Sequence, residues 1–335
     1  MELKNGYLKR WIQTFLIAAI TAGLVWFIRD NWPLIKKILI IRPSYVALIM
    51  SLLLIGRVMA GLRIKLIVGL SGVKLRFMEW FGTAVITNFY NSFFFKGGVA
   101  LTAIYLKNNH RLNYSKYVSL TIGSMSMVGL SAAIIGIACS LYGYFKGAFD
   151  LALAVIFAVM LIGVVIVLLL PGIRFPRKKI FKLPNTLFEC WDVLRGDKIT
   201  VLKLFILETT VLCLFALRYY LTFKMFEIPV PFYVCLILCP FNIVTNVVSI
   251  IPNAYGVREA VVGFASKLAG IGFTGGVMAT LVNRVLMMIV SFTLTPVFSY
   301  YLMGNFKVGP AAVDAAGKAG ISEEEPEKEF CYDEQ

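Results

Sequence analysis

The sequence predicts an all-α polytopic integral membrane protein, with about six spanning helices and two re-entrant helical hairpins arranged as an inverted repeat. Three observations predict it. The chain is 59% hydrophobic and only 15% charged, with a mean hydropathy of +0.81, whereas soluble domains are about a quarter charged. Several apolar runs exceed the ~20 residues that cross a bilayer core. Finally, Thr87-Asn88 and Gly98-Val99 recur as Thr245-Asn246 and Gly256-Val257, with nine residues between Asn and Gly in both copies. Interrupted apolar segments at matching places in two halves point to a membrane transporter built from a repeat.

The first predicted helix is 11–28, preceded by Lys4, Lys9 and Arg10. It is too long for a signal peptide, shows no small-residue cleavage pattern, and is expected to be retained. A charged connector at 29–43 with Pro33 and Pro43 leads to a helix at 44–70. The run 80–106 is broken near Lys96-Gly97-Gly98, and the basic segment 107–116 separates it from helices at 117–143 and 148–170. A long basic loop spans 171–198. A helix at 199–223 follows, then a run at 230–268 broken at Pro252-Asn253-Ala254-Tyr255-Gly256, and a last helix at 275–302. Residues 1–143 form the first repeat, 144–303 the second, and 304–335 an acidic tail expected to be disordered.

Charge supplies the orientation. Residues 1–304 hold 30 Lys and Arg against 10 Asp and Glu, while the tail holds eight acids. If each broken run returns to its starting side, 71–79, 107–116, 171–198 and both termini face the cytoplasm. The loops at 144–147, 224–229 and 269–274, poor in Lys and Arg, then face outward, as the positive-inside rule requires. The segment 29–43, with four basic residues, is the exception. Three spans per half start the second half on the opposite side, which makes the repeat inverted. The alternative is that 252–256 is an ordinary interfacial loop between two spanning helices.

Non-helical backbone at membrane depth needs a protein or water-filled lining. Gly97, Gly98, Pro252 and Gly256 therefore suggest a cavity, and the helix resuming after Gly256 would aim free N–H groups at an anion there. Arg57, Glu208, Arg258, Glu259 and Arg284 lie in or beside apolar runs, where a charge is expensive and suggests function. Arg57, Glu208 and Arg284 are deep enough for interior roles such as ion pairs, whereas Arg63 and Arg218 are near enough to helix ends to snorkel. Glu208 and Glu259 are the candidates for proton coupling. Asn88, Asn242 and Asn246 suit either interhelical hydrogen bonds or substrate contact. The basic group Arg174, Arg177, Lys178, Lys179 and Lys182 suits anionic lipid or simple topology control.

Several functions are excluded by composition. No soluble basic domain suggests nucleic acid. The only histidine is His110, and Cys235 and Cys239 lack further metal-ligating partners, so neither metal nor cofactor is expected. No nucleophile–base set argues for an enzyme.

At Ile251-Pro252 and Gly256-Val257-Arg258-Glu259-Ala260 the chain resembles the lysylphosphatidylglycerol synthase transmembrane region, also called the flippase-like domain family. The resemblance covers roughly 8–302 and takes in the Arg57 region and Arg284. Asn253-Ala254 stand where the family carries a glycine pair, and Phe95-Lys96 where it tends to carry Pro. The resemblance implies lipid handling. Larger members flip aminoacylated phosphatidylglycerol and carry a soluble aminoacyltransferase domain; none follows the last helix here, so lysyl transfer itself is not expected.

These readings converge on a translocase of the plasma (inner) membrane that moves a phospholipid or lipid-linked glycan headgroup, with anionic membrane lipids as partners. Its expected substrate-binding residues are Arg258, Glu259, Gly256, Asn253, Pro252, Lys96, Gly97, Gly98, Asn88, Asn246, Arg57 and Arg284. The rival readings are a non-catalytic partner of a lipid or glycan synthase, a protein associated with lysyl transfer, a small-solute transporter and a lipid-modifying enzyme.

Overall fold

The computed structural model describes residues 29, 43–93, 97–147, 149–169, 196–248, 254 and 256–304. The expected helix at 11–28, most of the connector 29–43 and of the loop 171–198, and the tail lie outside the described residues. Among the described residues the chain is entirely helical: α1 Pro43–Gly69, α2 Phe77–Phe93, α3 Gly97–His110, α4 Tyr114–Phe145, α5 Leu151–Leu169, α6 Lys198–Met225, α7 Phe232–Val248, α8 Val257–Leu268 and α9 Phe273–Gly304. Each expected helix in the described region is present, with ends shifted by a few residues.

Four of these, α1, α4, α6 and α9, are long and apolar enough to cross a membrane. The chain is a multi-pass membrane protein. Of the four, α9 is the most enclosed: 61% of its apolar window is buried, against 28–39% for the others. It packs against α1, α2, α6 and α8 and is the central column of the bundle. By contrast, α5 exposes Val155, Ile156, Val159, Ile162 and Ile166. In a membrane protein such a face meets lipid, which costs nothing in hydrophobic energy.

Four of the other helices, α2, α3, α7 and α8, are shorter, with 17, 14, 17 and 12 residues. At 1.5 Å per residue, α2 and α3, with 17 and 14 residues, reach about 25 and 21 Å, short of the ~30 Å hydrocarbon core. They fold into a helical hairpin. Glu79 near the start of α2 meets Tyr105 and His110 near the end of α3. Further along, Thr87 meets Thr102, and Asn91 meets Gly98. Each step up α2 is matched by a step down α3, so the two are antiparallel. Likewise α7 and α8 pack on each other in a second short pair.

Exchanging α1 with α6, α2 with α7, α3 with α8 and α4 with α9 maps every close packing among these eight helices onto another. The contact of α9 with α2 becomes that of α4 with α7, and α4 with α6 becomes α9 with α1. The pairing of α1 with α6 maps onto itself. These two mates run antiparallel: Tyr45 interacts with Lys224, Arg57 with Arg218, and Arg63 with Glu208. The Thr-Asn and Gly-Val motifs fall at equivalent places, late in α2 and α7 and at the starts of α3 and α8.

Candidate functional site

The first hairpin is closed by neutral groups. The backbone N–H of Gly98 donates to Asn91 Oδ1 at 2.9 Å, and the hydroxyls of Thr87 and Thr102 are 2.6 Å apart. A Cβ on Gly98 would collide with the carbonyl of Thr87, so glycine allows the two helices to touch. Gly97 starts α3 beside it. Asn88, expected either to bridge helices or to bind substrate, donates its amide to Ala84 O of its own helix at 2.9 Å. Lys96 lies outside the described residues.

At the base of this hairpin Glu79 joins several partners. Its Oε2 accepts from Arg76 N at 2.8 Å, a glutamate reaching back over a helix start. Its Oε1 accepts from the Tyr105 hydroxyl at 3.2 Å and meets His110 Nε2 at 3.0 Å. The single histidine of the chain thus fastens the two hairpin arms.

The start of the second hairpin's return helix, α8, is built around charge. Gly256 has φ +78, a left-handed conformation that favours glycine. Its N–H donates to Glu259 Oε2 at 2.9 Å, while Glu259 Oε1 pairs with Arg284 of α9. The carboxylate therefore joins the first turn of α8 to the central column. Arg258, Glu259 and Arg284 are 7%, 9% and 7% exposed. Removing one partner of such a buried pair strands the other charge. Pro252 and Asn253 lie outside the described residues, as does the side chain of Asn246.

Further polar groups are buried along α6 and α9, among them Thr222, Thr280, Asn283 and Ser291. From the middle of α1, Arg57, also 7% exposed, donates through Nη2 to Ser291 Oγ of α9 at 2.9 Å. On α6, Arg218 lies over the Phe215 ring, 4.2 Å from its centroid, a cation–π arrangement. It is close enough to Arg57 and to Arg258 to repel both. Beside it, Tyr219 accepts from Asn242 Nδ2 at 2.9 Å and lies 3.4 Å from Thr280 Oγ1. Asn283 donates to Thr222 Oγ1 at 2.9 Å.

Of the expected site residues, Arg57, Arg258, Glu259 and Arg284 are all buried; Glu259 meets Arg284 of α9, and Arg57 meets Ser291 two turns further along the same helix. The structure differs on Arg63 and Arg218, expected to snorkel. Arg63 meets Glu208 at 3.4 Å, and Glu208 is only 4% exposed. Arg218 turns to Phe215 and the other arginines. Asn91, Tyr219 and Ser291 were not singled out at all. A signal existed for Tyr219, which directly follows Arg218 in an apolar run; Asn91 and Ser291 carry none until the helices are paired.

Comparison with known families decides the broader question. The model of the lysylphosphatidylglycerol synthase TM region matches residues 13–294. The chain belongs to that family. Membership places it among membrane proteins of lipid metabolism or transport, as the resemblance at Gly256–Ala260 implied. No curated protein and no solved structure matches this family member.

Proposed function

We propose that this chain is a lipid translocase that moves a phospholipid or lipid-linked glycan headgroup between leaflets of the plasma (inner) membrane. The observation that carries the reading is the pair of short helical hairpins on antiparallel mates, with Arg258, Glu259 and Arg284 buried where the second hairpin meets α9. Two half-depth hairpins on an inverted repeat are a recurring transporter plan, with substrate held near the midplane.

In this reading both hairpins are re-entrant. The first enters from the cytoplasmic side, where Glu79 and His110 meet, and the second from the outside, with both chain termini cytoplasmic. A headgroup enters a lateral cleft while its acyl chains stay in lipid. Arg258, the N–H groups after Gly256, and Lys96 hold it. Gly97, Gly98, Pro252 and Asn253 shape the tips, and Asn88, Asn246, Arg57 and Arg284 complete the lining. Rocking of the halves exposes the site to each side in turn. Glu208 and Glu259 are the proton-coupling candidates. Each already holds an arginine, so coupling there requires that arginine to find another anion, such as the substrate.

The test is a headgroup-accessibility assay in liposomes carrying labelled anionic phospholipid, glycolipid or aminoacyl lipid. Wild type should accelerate the movement of one class, and Arg258→Ala should abolish it without lowering expression. No movement above empty liposomes would sink the translocase reading and favour a partner of a lipid or glycan synthase. Full transport by the variant would remove Arg258 from the site.

A further inference from the structure

We propose that the acidic segment Glu323–Glu334 of this chain docks on a basic rim of the bundle, formed by Lys74, Arg76, Lys107 and Arg111 at the base of the first hairpin. The proposal is independent of the translocase reading: it assigns an interaction surface and its occupant, whatever the protein moves.

Two chain links build the rim. Lys74 and Arg76 lie between α1 and α2, Lys107 is on the last turn of α3, and Arg111 directly follows that helix. Leu75 and Leu112, their neighbours in sequence, are buried in one apolar cluster with Leu106 and Tyr117. Glu79 stitches the links together, accepting from Arg76 N at 2.8 Å and meeting His110 Nε2 at 3.0 Å. Among the described residues 70–79 and 107–116 Glu79 is the only acid, and both its oxygens are engaged within the hairpin. The four cations are exposed, and none pairs with an acid among the described residues. Arg111 also has φ +55, a left-handed backbone that an arginine adopts only with strain. Backbone geometry therefore gives no reason for an arginine at that place.

The chain leaves its last described helix at the same end of the bundle. Phe298 of α9 meets Phe81 with ring centroids 5.0 Å apart, and Phe298 and Leu302 close on Gly82. Gly82 is less than one turn from Glu79, so α9 ends at Gly304 beside the rim. Eighteen residues, 305–322, separate Gly304 from Glu323, a reach of up to about 60 Å. The segment Glu323–Glu334 holds seven acids and one lysine, with Phe330 and Tyr332 among them. Phe77, Met78 and Tyr114, exposed beside the rim on the first turns of α2 and α4, suit those two rings. At the opposite end of the bundle the links after α4 and α6 carry Lys146 with Asp150 and Lys224 with Glu227, each cation matched by an acid. Exposed ion pairs are weak one by one, but a tether gives the segment a millimolar effective concentration at the rim, so that several act together.

The test is zero-length cross-linking of the purified full-length chain with a carbodiimide, which joins a carboxylate to a lysine amine as an amide with loss of water. The products are read by mass spectrometry of the digested protein. In detergent at low salt, amides should form between Glu323–Glu334 and Lys74 or Lys107. They should be lost at high salt and keep their yield on dilution. Arg76→Gln combined with Arg111→Gly leaves both reporting lysines in place and should lower the yield about threefold. Glycine fits the left-handed backbone at 111, so this variant should melt as wild type does. Lys146→Gln, at the opposite end, should change nothing. Cross-links confined to the lysines of 171–198, or none at the rim, overturn the proposal, as does an unchanged yield in the double variant. A yield that falls on dilution places the contact between two chains and overturns docking within one. The same reaction in vesicles of phosphatidylcholine, alone or mixed with phosphatidylglycerol, tests the rival occupant. Cross-links in both support the proposal, and loss in the mixed vesicles alone assigns the rim to anionic lipid and overturns it.

Discussion

In the first hairpin Gly98 is buried against the backbone of Thr87; in the second its counterpart Gly256 has open space where a side chain would stand, but φ +78. The same motif position is glycine for two different reasons, close approach in one copy and chirality in the other. The capping glutamates differ as well. Glu79 reaches back over the start of α2, at the base of its hairpin, and Glu259 over the start of α8, on the return arm of the second. Counting from the paired glycines, Arg258 and Glu259 correspond to Ala100 and Leu101. Near its tip the first hairpin is thus held by hydroxyl and amide groups, with Glu79 and His110 at its base, whereas the start of α8 in the second is tied to α9 by an ion pair. Two elements with one backbone plan can thus be built on different chemistry, neutral groups near the tip of one and buried charge at the start of the return helix of the other.

The largest expected break in this comparison is Glu259→Gln. It leaves Arg284 buried beside a neutral group, at a cost of about 3–5 kcal/mol, seen as a large drop in thermal stability in detergent. An unchanged melting temperature would mean that the ion pair is not what holds α8 to α9. Next comes Gly98→Ala, expected to destabilise by about 1–3 kcal/mol through overpacking. Gly256→Ala should cost about 1–2 kcal/mol, the penalty of a left-handed residue with a side chain. The contrast sharpens with Gly98→Asn and Gly256→Asn, since asparagine tolerates positive φ but still needs room. It should partly rescue position 256 and worsen position 98, and equal effects at both would erase the distinction.

A smaller effect is expected for Asn91→Ala, about 1 kcal/mol for the hydrogen bond to Gly98 N, confined to the first hairpin. Faster amide exchange near Gly98 and none near Gly256 is the signature. The smallest is at Asp197, which caps α6 by accepting from the Thr200 hydroxyl at 2.7 Å and from the N–H groups of Thr200 and Ile199 at 3.1 Å. The Thr200 hydroxyl foremost, and then these N–H groups, hold its carboxyl below the usual aspartate range. A lowered folded value stabilises above the unfolded pKa of about 3.9 and is lost as pH falls through the folded value. Asp197→Ala should therefore melt slightly earlier than wild type at neutral pH and converge with it in strong acid.

Much of the fold was legible because membrane helices write themselves as long apolar runs, and α1, α4, α6 and α9 begin and end within a few residues of those runs. The glycine motif was legible because a break in such a run needs a lining. Pairing was not. Glu259 and Arg284 are neighbours only once α8 and α9 fold back on each other, and Glu208 finds Arg63 across 145 residues of chain. Arg218 misled for a simple reason. It lies seven residues from the end of α6, within plausible reach of the surface, but the arginines it interacts with, Arg57 and Arg258, come from α1 and α8 and leave no trace in its own neighbourhood.

The seam between α1 and α6 carries a last consequence. It maps onto itself under the helix exchange while every other packing among the eight helices maps onto a different pair. A contact between the mates of a twofold-related repeat has this property, as an isologous interface does when one surface patch serves both partners. In the repeat proposed above, the two halves would meet as the subunits of a symmetric dimer do, although they are one polypeptide. Being fused, each side of that seam is free to diverge from the other, and Arg57 and Arg218 need not have counterparts across the axis.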